Sequence, residues 1–435
     1  MKMKCVVHVE VIQHSNSNVE AKDLECLVDQ ELQDLGSVRP GQSMTSVQFT
    51  SDILKKNIIS VKISESSELA HNYNLDPENL TNLSLDKVSL QFHTYRLEEE
   101  EIQSEQLNIS SDGDNETISA ANYCLLPHVS FHGIWENLIY DNNIKENLLD
   151  YASTSMIFSQ YKVNTNVISW NRVILLYGPP GTGKTSLCKG LAQKLSIRLK
   201  KNYKIAEFIE INSHSLFSKY YSESGKLVMQ MFSKIKEHLE YGESLVCVLI
   251  DEIESLTHAR NACMNGAEPS DSIRVVNAIL TQLDQIRRYP NVLILTTSNL
   301  KSAIDVAFVD RADLQIYVGP PSKRAIYEIF VSCLKELIRV NLIKLETEID
   351  FLSVDCLSES EEKSDVNFTV SRELFEVAKS CDGLSGRILR KLPFLAYSSY
   401  SKSEKKSINN YIQALQSAVD QYRANNKSIF GVHCQ

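Results

Sequence analysis

The chain has 435 residues, of which 43% are hydrophobic and 23% charged, and it carries a formal net charge of −10. Such a composition supports about two or three packed domains and excludes an extended low-complexity chain. The acidic balance argues against a broad basic nucleic-acid surface, and no apolar run approaches the roughly 20 residues that cross a bilayer. The ten cysteines are scattered without a Cys-x-x-Cys pair. Cys188 and Cys247 fall in an expected helix and strand, where a free thiol acts as a small apolar group. With an N-terminus that alternates instead of forming a signal-peptide core, this usage predicts a soluble protein of a reducing, intracellular compartment.

Residues 1–100 are expected to form a small, separate domain of strand character. Val7, Val9 and Val11 alternate with polar neighbours, as do Ile59, Val61 and Ile63, then Val88, Leu90 and Phe92. Period-two alternation marks half-buried strands. Four consecutive glutamates from Glu98 open an acidic stretch, and residues 101–124 are expected to be a solvated linker. From 125 to 320 the short apolar runs 173–177, 208–211, 245–250, 292–297 and 315–318 are mostly separated by helical patterns. Strands alternating with helices predict an α/β domain with a parallel sheet covered on both faces. Residues 321–435 read as helical, interrupted by an acidic loop at 358–365. In the last helix Ile408, Ile412, Leu415, Val419 and Tyr422 share one face.

The chemistry is concentrated at strand ends. Gly178-Pro179-Pro180-Gly181-Thr182-Gly183-Lys184-Thr185, followed by Ser186, stands directly after the first apolar strand of the α/β region. Glycines at these positions let successive backbone N–H groups curl around a polyphosphate, and the following helix presents its positive end. Lys184 is the group for β/γ-phosphate oxygens, and the Thr185 hydroxyl is a ligand for Mg²⁺. ATP with Mg²⁺ is therefore the expected nucleotide. A second strand ends in Asp251-Glu252, which places Asp251 beside the metal and Glu252 where it polarises the attacking water. Asn299 ends another strand and is expected to hold that water, although a turn-forming asparagine is the plain alternative.

Together these elements resemble the AAA+ class of ring-forming ATPases: a P-loop parallel sheet with a helical C-terminal lid. That resemblance implies that Arg311 is an arginine finger reaching a neighbour's γ-phosphate. Many of the class carry an Arg-Pro-Gly-Arg pattern, whereas Asp310 here precedes a single arginine, and a surface ion pair is the alternative. Arg387 follows Ser385, which is suited to cap a helix. An arginine in a first helical turn is disfavoured by the helix dipole, so it suggests an anionic partner. The resemblance makes Arg387 a second sensor of the γ-phosphate. Tyr220 and Tyr221 lie between a strand and its following helix, where ring ATPases place a channel loop that grips an extended polypeptide; residues 260–271 fit a second such loop.

Longer strings narrow the resemblance. Ser169-Trp-Asn-Arg-Val-Ile-Leu-Leu, Ile304-Asp-Val-Ala-Phe-Val-Asp-Arg-Ala-Asp and Gly383-Leu-Ser-Gly-Arg-Ile-Leu-Arg-Lys-Leu-Pro are similar to the pachytene checkpoint protein two family, the thyroid-receptor-interacting AAA+ remodellers. The resemblance implies a homohexamer that threads the N-terminal segment of HORMA-domain proteins and converts them from closed to open form. It implies a comet-type adaptor, an N-terminal domain that receives substrate and adaptor, and roles in spindle-checkpoint silencing and meiotic chromosome-axis control. It also implies a nuclear and cytoplasmic location, with chromosomes and kinetochores, and an adenine pocket lined by residues 131–138. Vertebrate relatives carry Trp-Phe where this chain has Tyr220-Tyr221. Two other readings stay open: a severing or replication motor on the same core, and a nucleotide-gated scaffold without turnover.

Overall fold

The alternating valines Val7, Val9 and Val11 are fully buried on β1 (Cys5–Gln13), which lies inside a four-stranded sheet. The strand order is β3 (Ser43–Thr45), β4 (Ile58–Ile63), β1, β6 (Val88–Tyr95); β4 runs antiparallel and β6 parallel to β1. A helix over Ala21–Leu35 covers this face with Leu24, Val28 and Leu32, spaced one helical turn apart. A short pair, β2 (Ser37–Val38) with β5 (Leu83–Ser84), lies beside it in the chain order. The alternation expected of β4 is only partly realised. Ile58 is buried and Ile59 exposed, because the pairing of β1 with β4 shifts register between Ile12 and Gln13. One extra residue in a ladder moves the neighbouring side chains to the opposite face.

The computed structural model describes residues 5–65, 69, 82–111, 114–212, 224–254, 271–299, 304, 306–343, 349–359, 366–400 and 407–430. Two compact units divide the chain. The first holds residues 1–135, 143–177 and 185–316; the second holds 136–142, 178–184 and 317–435.

The first unit also contains a seven-stranded sheet. Its members are β7 (Gln103–Ser111), β8 (Asp114–Leu126), β9 (Val173–Tyr177), β10 (Ile205–Ile211), β11 (Ser244–Ile250), β12 (Val292–Ser298) and β13 (Leu314–Tyr317), in the order β13-β9-β12-β11-β10-β8-β7. The pairings β9–β12, β12–β11 and β11–β10 are parallel, as the strand–helix alternation predicts. Every residue of β11 and β12 is buried, which is why those strands read as continuous apolar runs. Burial pushes the Cys247 thiol up to about 12 and raises Cys188 as well, so both are inert core groups.

The acidic stretch is not a linker. Residues 103–111 and 114–126 pair antiparallel as β7 and β8, and β8 pairs antiparallel with β10 from Ala121 to Leu126. Leu107, Ala120, Ala121, Cys124 and Leu126 are buried. A strand at the margin of a sheet needs only one apolar side and tolerates charge elsewhere, so overall polarity concealed the alternation.

The second unit is helical beyond residue 320. Ile326 and Phe330 of the Lys323–Arg339 helix, Leu374 of Val366–Ser380 and Leu392 of Leu392–Tyr400 share a core with Ile412, Leu415 and Val419 of Ile408–Phe430. The one-faced pattern expected of the last helix is the face that packs. Residues 360–365 of the second acidic stretch lie outside the described residues. Among the described residues, no helix is long and apolar enough to cross a membrane.

Candidate active site

Strand β9 delivers the chain into the glycine-rich loop, and the loop's backbone explains its composition. A Cβ on Gly178 (φ 151°) would stand 2.1 Å from the Val318 carbonyl oxygen. One on Gly181 (φ 78°) would meet Ser385 Oγ at 2.9 Å. Only glycine satisfies both the left-handed backbone and these close approaches. Thr182 Oγ1 donates to the Pro179 carbonyl at 3.0 Å, and the Tyr140 hydroxyl donates to the Thr182 carbonyl at 3.3 Å. Lys184 is buried, and its Nζ donates to the carbonyls of Gly178 (2.9 Å) and Pro179 (2.8 Å). The ammonium is thus held over the loop by the loop's own oxygens. In the same unit the Arg387 backbone N–H donates to the Gly181 carbonyl at 3.1 Å.

Lys184 and Thr185 open the helix Lys184–Arg198, anchored by buried Leu187, Cys188, Leu191 and Leu195. Ser186, next in its first turn, is half-buried. Thr185 Oγ1 lies 2.9 and 3.1 Å from the two carboxylate oxygens of Asp251, at the end of β11. Thr297 on β12 donates its hydroxyl to Asp251 Oδ1 and accepts the Glu252 N–H at 3.1 Å. Glu252 itself has φ 53°, a left-handed conformation that costs a non-glycine residue about 1–3 kcal/mol and is concentrated at functional sites. Asn299 Nδ2 donates to Glu252 Oε1 at 3.4 Å, while its backbone N–H donates to Glu254 Oε1 at 3.0 Å. The ends of β11 and β12 therefore bring Thr185, Asp251, Glu252, Thr297 and Asn299 into one hydrogen-bonded cluster. A hydroxyl beside a carboxylate is an all-oxygen donor set suited to a hard cation such as Mg²⁺.

Arg311 is placed differently from a side chain projecting into solvent. Its Nε and Nη2 bond Asp284 bidentately at 3.0 and 2.9 Å, and Nη1 donates to the Ala307 carbonyl at 2.7 Å. The two side chains are 28% and 30% exposed, and the guanidinium holds the Asp284 carboxyl below its usual range. Arg387 is exposed in the short helix Gly386–Leu389. Ser385 occupies the N-cap position of that helix, yet its side chain makes no cap hydrogen bond, contrary to the capping expectation. Its carbonyl instead accepts from the N–H groups of Ile388 and Leu389.

Of residues 131–138, Phe131 and Trp135 are buried, and Trp135 packs on Gly190 of the Lys184–Arg198 helix: a Cβ there would come within 3.3 Å of it. Leu138 approaches Gly183 in the second unit. Tyr220, Tyr221 and residues 260–270 lie outside the described residues. Sequence reasoning missed Thr297, Glu254 and Tyr140. Thr297 had a signal, since a hydroxyl two residues before Asn299 on an apolar strand points to the same sheet edge; Tyr140 had none.

The TRIP13 N-terminal domain matches residues 2–100, the ATPase family associated with various cellular activities (AAA) matches 174–320, and the TRIP13-like AAA+ ATPase lid C-terminal domain matches 322–423. The chain is 48% identical to the pachytene checkpoint protein 2 homolog of Mus musculus over 95% of its own length and 92% of that protein. Its structure resembles that of C. elegans PCH-2 with a TM-score of 0.75 and 36% identity, covering 96% of this chain and 99% of the other. A fold likeness at 16% identity and TM-score 0.52 extends to the E. coli MS115-1 HORMA:CdnC:Trip13 complex, covering 68% and 94% of the two chains.

Proposed function

The chain belongs to the TRIP13/pachytene checkpoint protein 2 family of AAA+ ATPases, and from that membership we propose that it spends ATP on converting HORMA-domain proteins from closed to open form. The observation that supports the reading is the Thr185–Asp251–Thr297–Glu252–Asn299 cluster, because it joins the residues to which we assign the metal, the water and the base.

In this reading the N–H groups of the 178–185 loop and the Lys184 ammonium bind the phosphates of ATP. Thr185 and Asp251 would hold Mg²⁺, which when bound neutralises charge on the β- and γ-phosphate oxygens. Glu252 positions a water and takes its proton as the water oxygen bonds to the γ-phosphorus; the bond to the β-bridging oxygen breaks and ADP departs. Asn299 orients Glu252 and the water. Arg311 leaves Asp284 to reach a neighbour's γ-phosphate within a homohexamer, and Arg387 reports that phosphate to the helical lid. Tyr220 and Tyr221 grip the N-terminal segment of the HORMA protein, which a comet-type adaptor presents to the N-terminal domain. The settings are checkpoint silencing and meiotic chromosome-axis control, in nucleus and cytoplasm. The support for partner and setting is family membership; the E. coli Trip13 that shares the fold was itself solved with a HORMA protein.

The test is a trap. Glu252→Gln should retain ATP and hold its substrate, so capture from cell extract followed by partner identification should return HORMA-domain proteins. Recovery of nucleic acid or tubulin in their place would overturn the assignment. Conversion of a purified closed HORMA protein should require ATP and fail with Tyr220→Ala.

A further inference from the structure

Besides its loop end, the Lys184–Arg198 helix has a second buried polar contact. At its C-terminal end Lys194 Nζ stands 2.6 Å from Glu10 Oε1, and Arg198 Nε stands 3.4 Å from the same oxygen. The Glu10 side chain is 5% exposed, and those of Lys194 and Arg198 are 7% each. Glu10 belongs to β1 of the N-terminal sheet, on the face opposite Val9 and Val11, where it pairs in register with His93 of β6. The contact is surrounded. Ile12 and Tyr95 pack with Ile197 of the helix, Lys200 Nζ donates to the Thr94 carbonyl at 2.9 Å, and His93 hydrogen-bonds the Ile197 backbone. His8 Nδ1 closes the row, 2.9 Å from His93 Nε2.

We propose that Glu10 is a positioning residue for ATP turnover: with Lys194 and Arg198 it fastens the N-terminal sheet to the far end of the helix that begins with Thr185. The inference rests on the placement of Thr185 in the ATP site. Three physical points carry it. A helix is stiff along its axis, so the roughly 20 Å between Thr185 and Arg198 transmit a tilt or shift at one end to the other. A buried carboxylate between two cations is costly to desolvate, and apolar residues of similar volume would hold two domains at least as well. What an ion triad adds is direction: it accepts one rotation and one axial setting of the helix. The small apolar patch of Ile12, Tyr95 and Ile197 sets no such direction, and the Lys200–Thr94 and His93–Ile197 hydrogen bonds act in the same sense as the triad. Force or binding on the N-terminal sheet therefore reaches the Thr185–Asp251 contact through the helix, and nucleotide binding reaches the sheet by the same route.

Amide hydrogen exchange on the full assembled chain, with and without Mg·ADP, tests this together with steady-state ATP hydrolysis. In the wild type, nucleotide should slow exchange at residues 178–185 and also at residues 7–13 and 88–95 of β1 and β6. Glu10→Gln keeps the shape and removes the charge. It should retain the slowing at 178–185, lose that of the two strands, and lower kcat about tenfold with KM changed less than threefold, as expected of a slightly misplaced reacting geometry. The exchanged pair Glu10→Lys with Lys194→Glu should recover the strand response at least in part. Wild-type strands that ignore nucleotide, or a Glu10→Gln chain that keeps both the strand response and kcat, would overturn the proposal. The wild-type measurement decides even if Glu10→Gln does not fold. Absence of slowing at 178–185 would instead remove the ATP-site placement of Thr185 on which the proposal stands.

Discussion

The two ends of the Lys184–Arg198 helix handle polar groups in opposite ways. At the start, Thr185, Asp251, Glu252 and Asn299 are half-buried and joined by hydrogen bonds between short side chains. At the finish, Glu10, Lys194 and Arg198 are withdrawn from water, one carboxylate facing two cations. Half-buried groups keep the access that a substrate and a proton require, whereas closed groups are shut off from it. The first arrangement suits the proposed reaction and the second the proposed positioning. The difference predicts that substitutions at the start change rate without changing stability, and that those at the finish change stability first.

The sharpest contrast is Glu252→Gln. Losing the proposed general base should lower ATP turnover by about 10²- to 10⁴-fold, while the denaturation midpoint stays put; a parallel loss of stability would erase the distinction between the two ends. Next is Glu10→Ala, which strands two buried cations and should cost about 3–5 kcal/mol in unfolding free energy. A cost below about 1 kcal/mol in urea titrations would show that the triad is wet. Third comes pH. Burial, with help from Lys201 and Lys194, pushes the His93 imidazole from its usual 6.5 to about 4. The unfolded chain therefore binds a proton that the folded chain refuses. Stability contributed by neutral His93 is complete above about pH 6.5 and is lost as pH falls towards 4, by about 3 kcal/mol. Comparing wild type with His93→Gln at pH 7 and pH 4.5 isolates this share, and equal slopes would contradict it. The smallest effect belongs to Ser385→Ala. Because the hydroxyl makes no cap bond, the loss should stay below the roughly 1 kcal/mol of a working serine cap.

The candidate site residues were legible because they sit where strands stop. An apolar run ending in Asp251-Glu252 and another ending at Asn299 each announce a sheet edge, and the fold brings these two ends together with Thr185. Where reading failed, composition had spoken louder than pattern. The glutamates around residue 100 suggested solvent, yet the chain beyond them forms β7 at the sheet margin, where charge is carried outward without penalty, and β8 between β7 and β10. Ile59 seemed to share a face with Val61, but one shifted residue in the β1–β4 ladder exposes it. Tyr140 could not be found at all, being brought to Thr182 only by the path of the folded chain.

By itself the sequence determined the local devices: the glycine-rich loop, the carboxylates at the strand end, the apolar strands that stack in parallel and the one-faced last helix. These follow from short-range periodicity and from turns that tolerate only glycine. The tertiary structure alone decided which distant groups would meet. It set Arg311 on Asp284, Thr297 between Asp251 and Glu252, and Glu10 against Lys194 and Arg198. The physical reason is that a charge carries no record of its partner along the chain; burial selects one when two surfaces close and water is excluded.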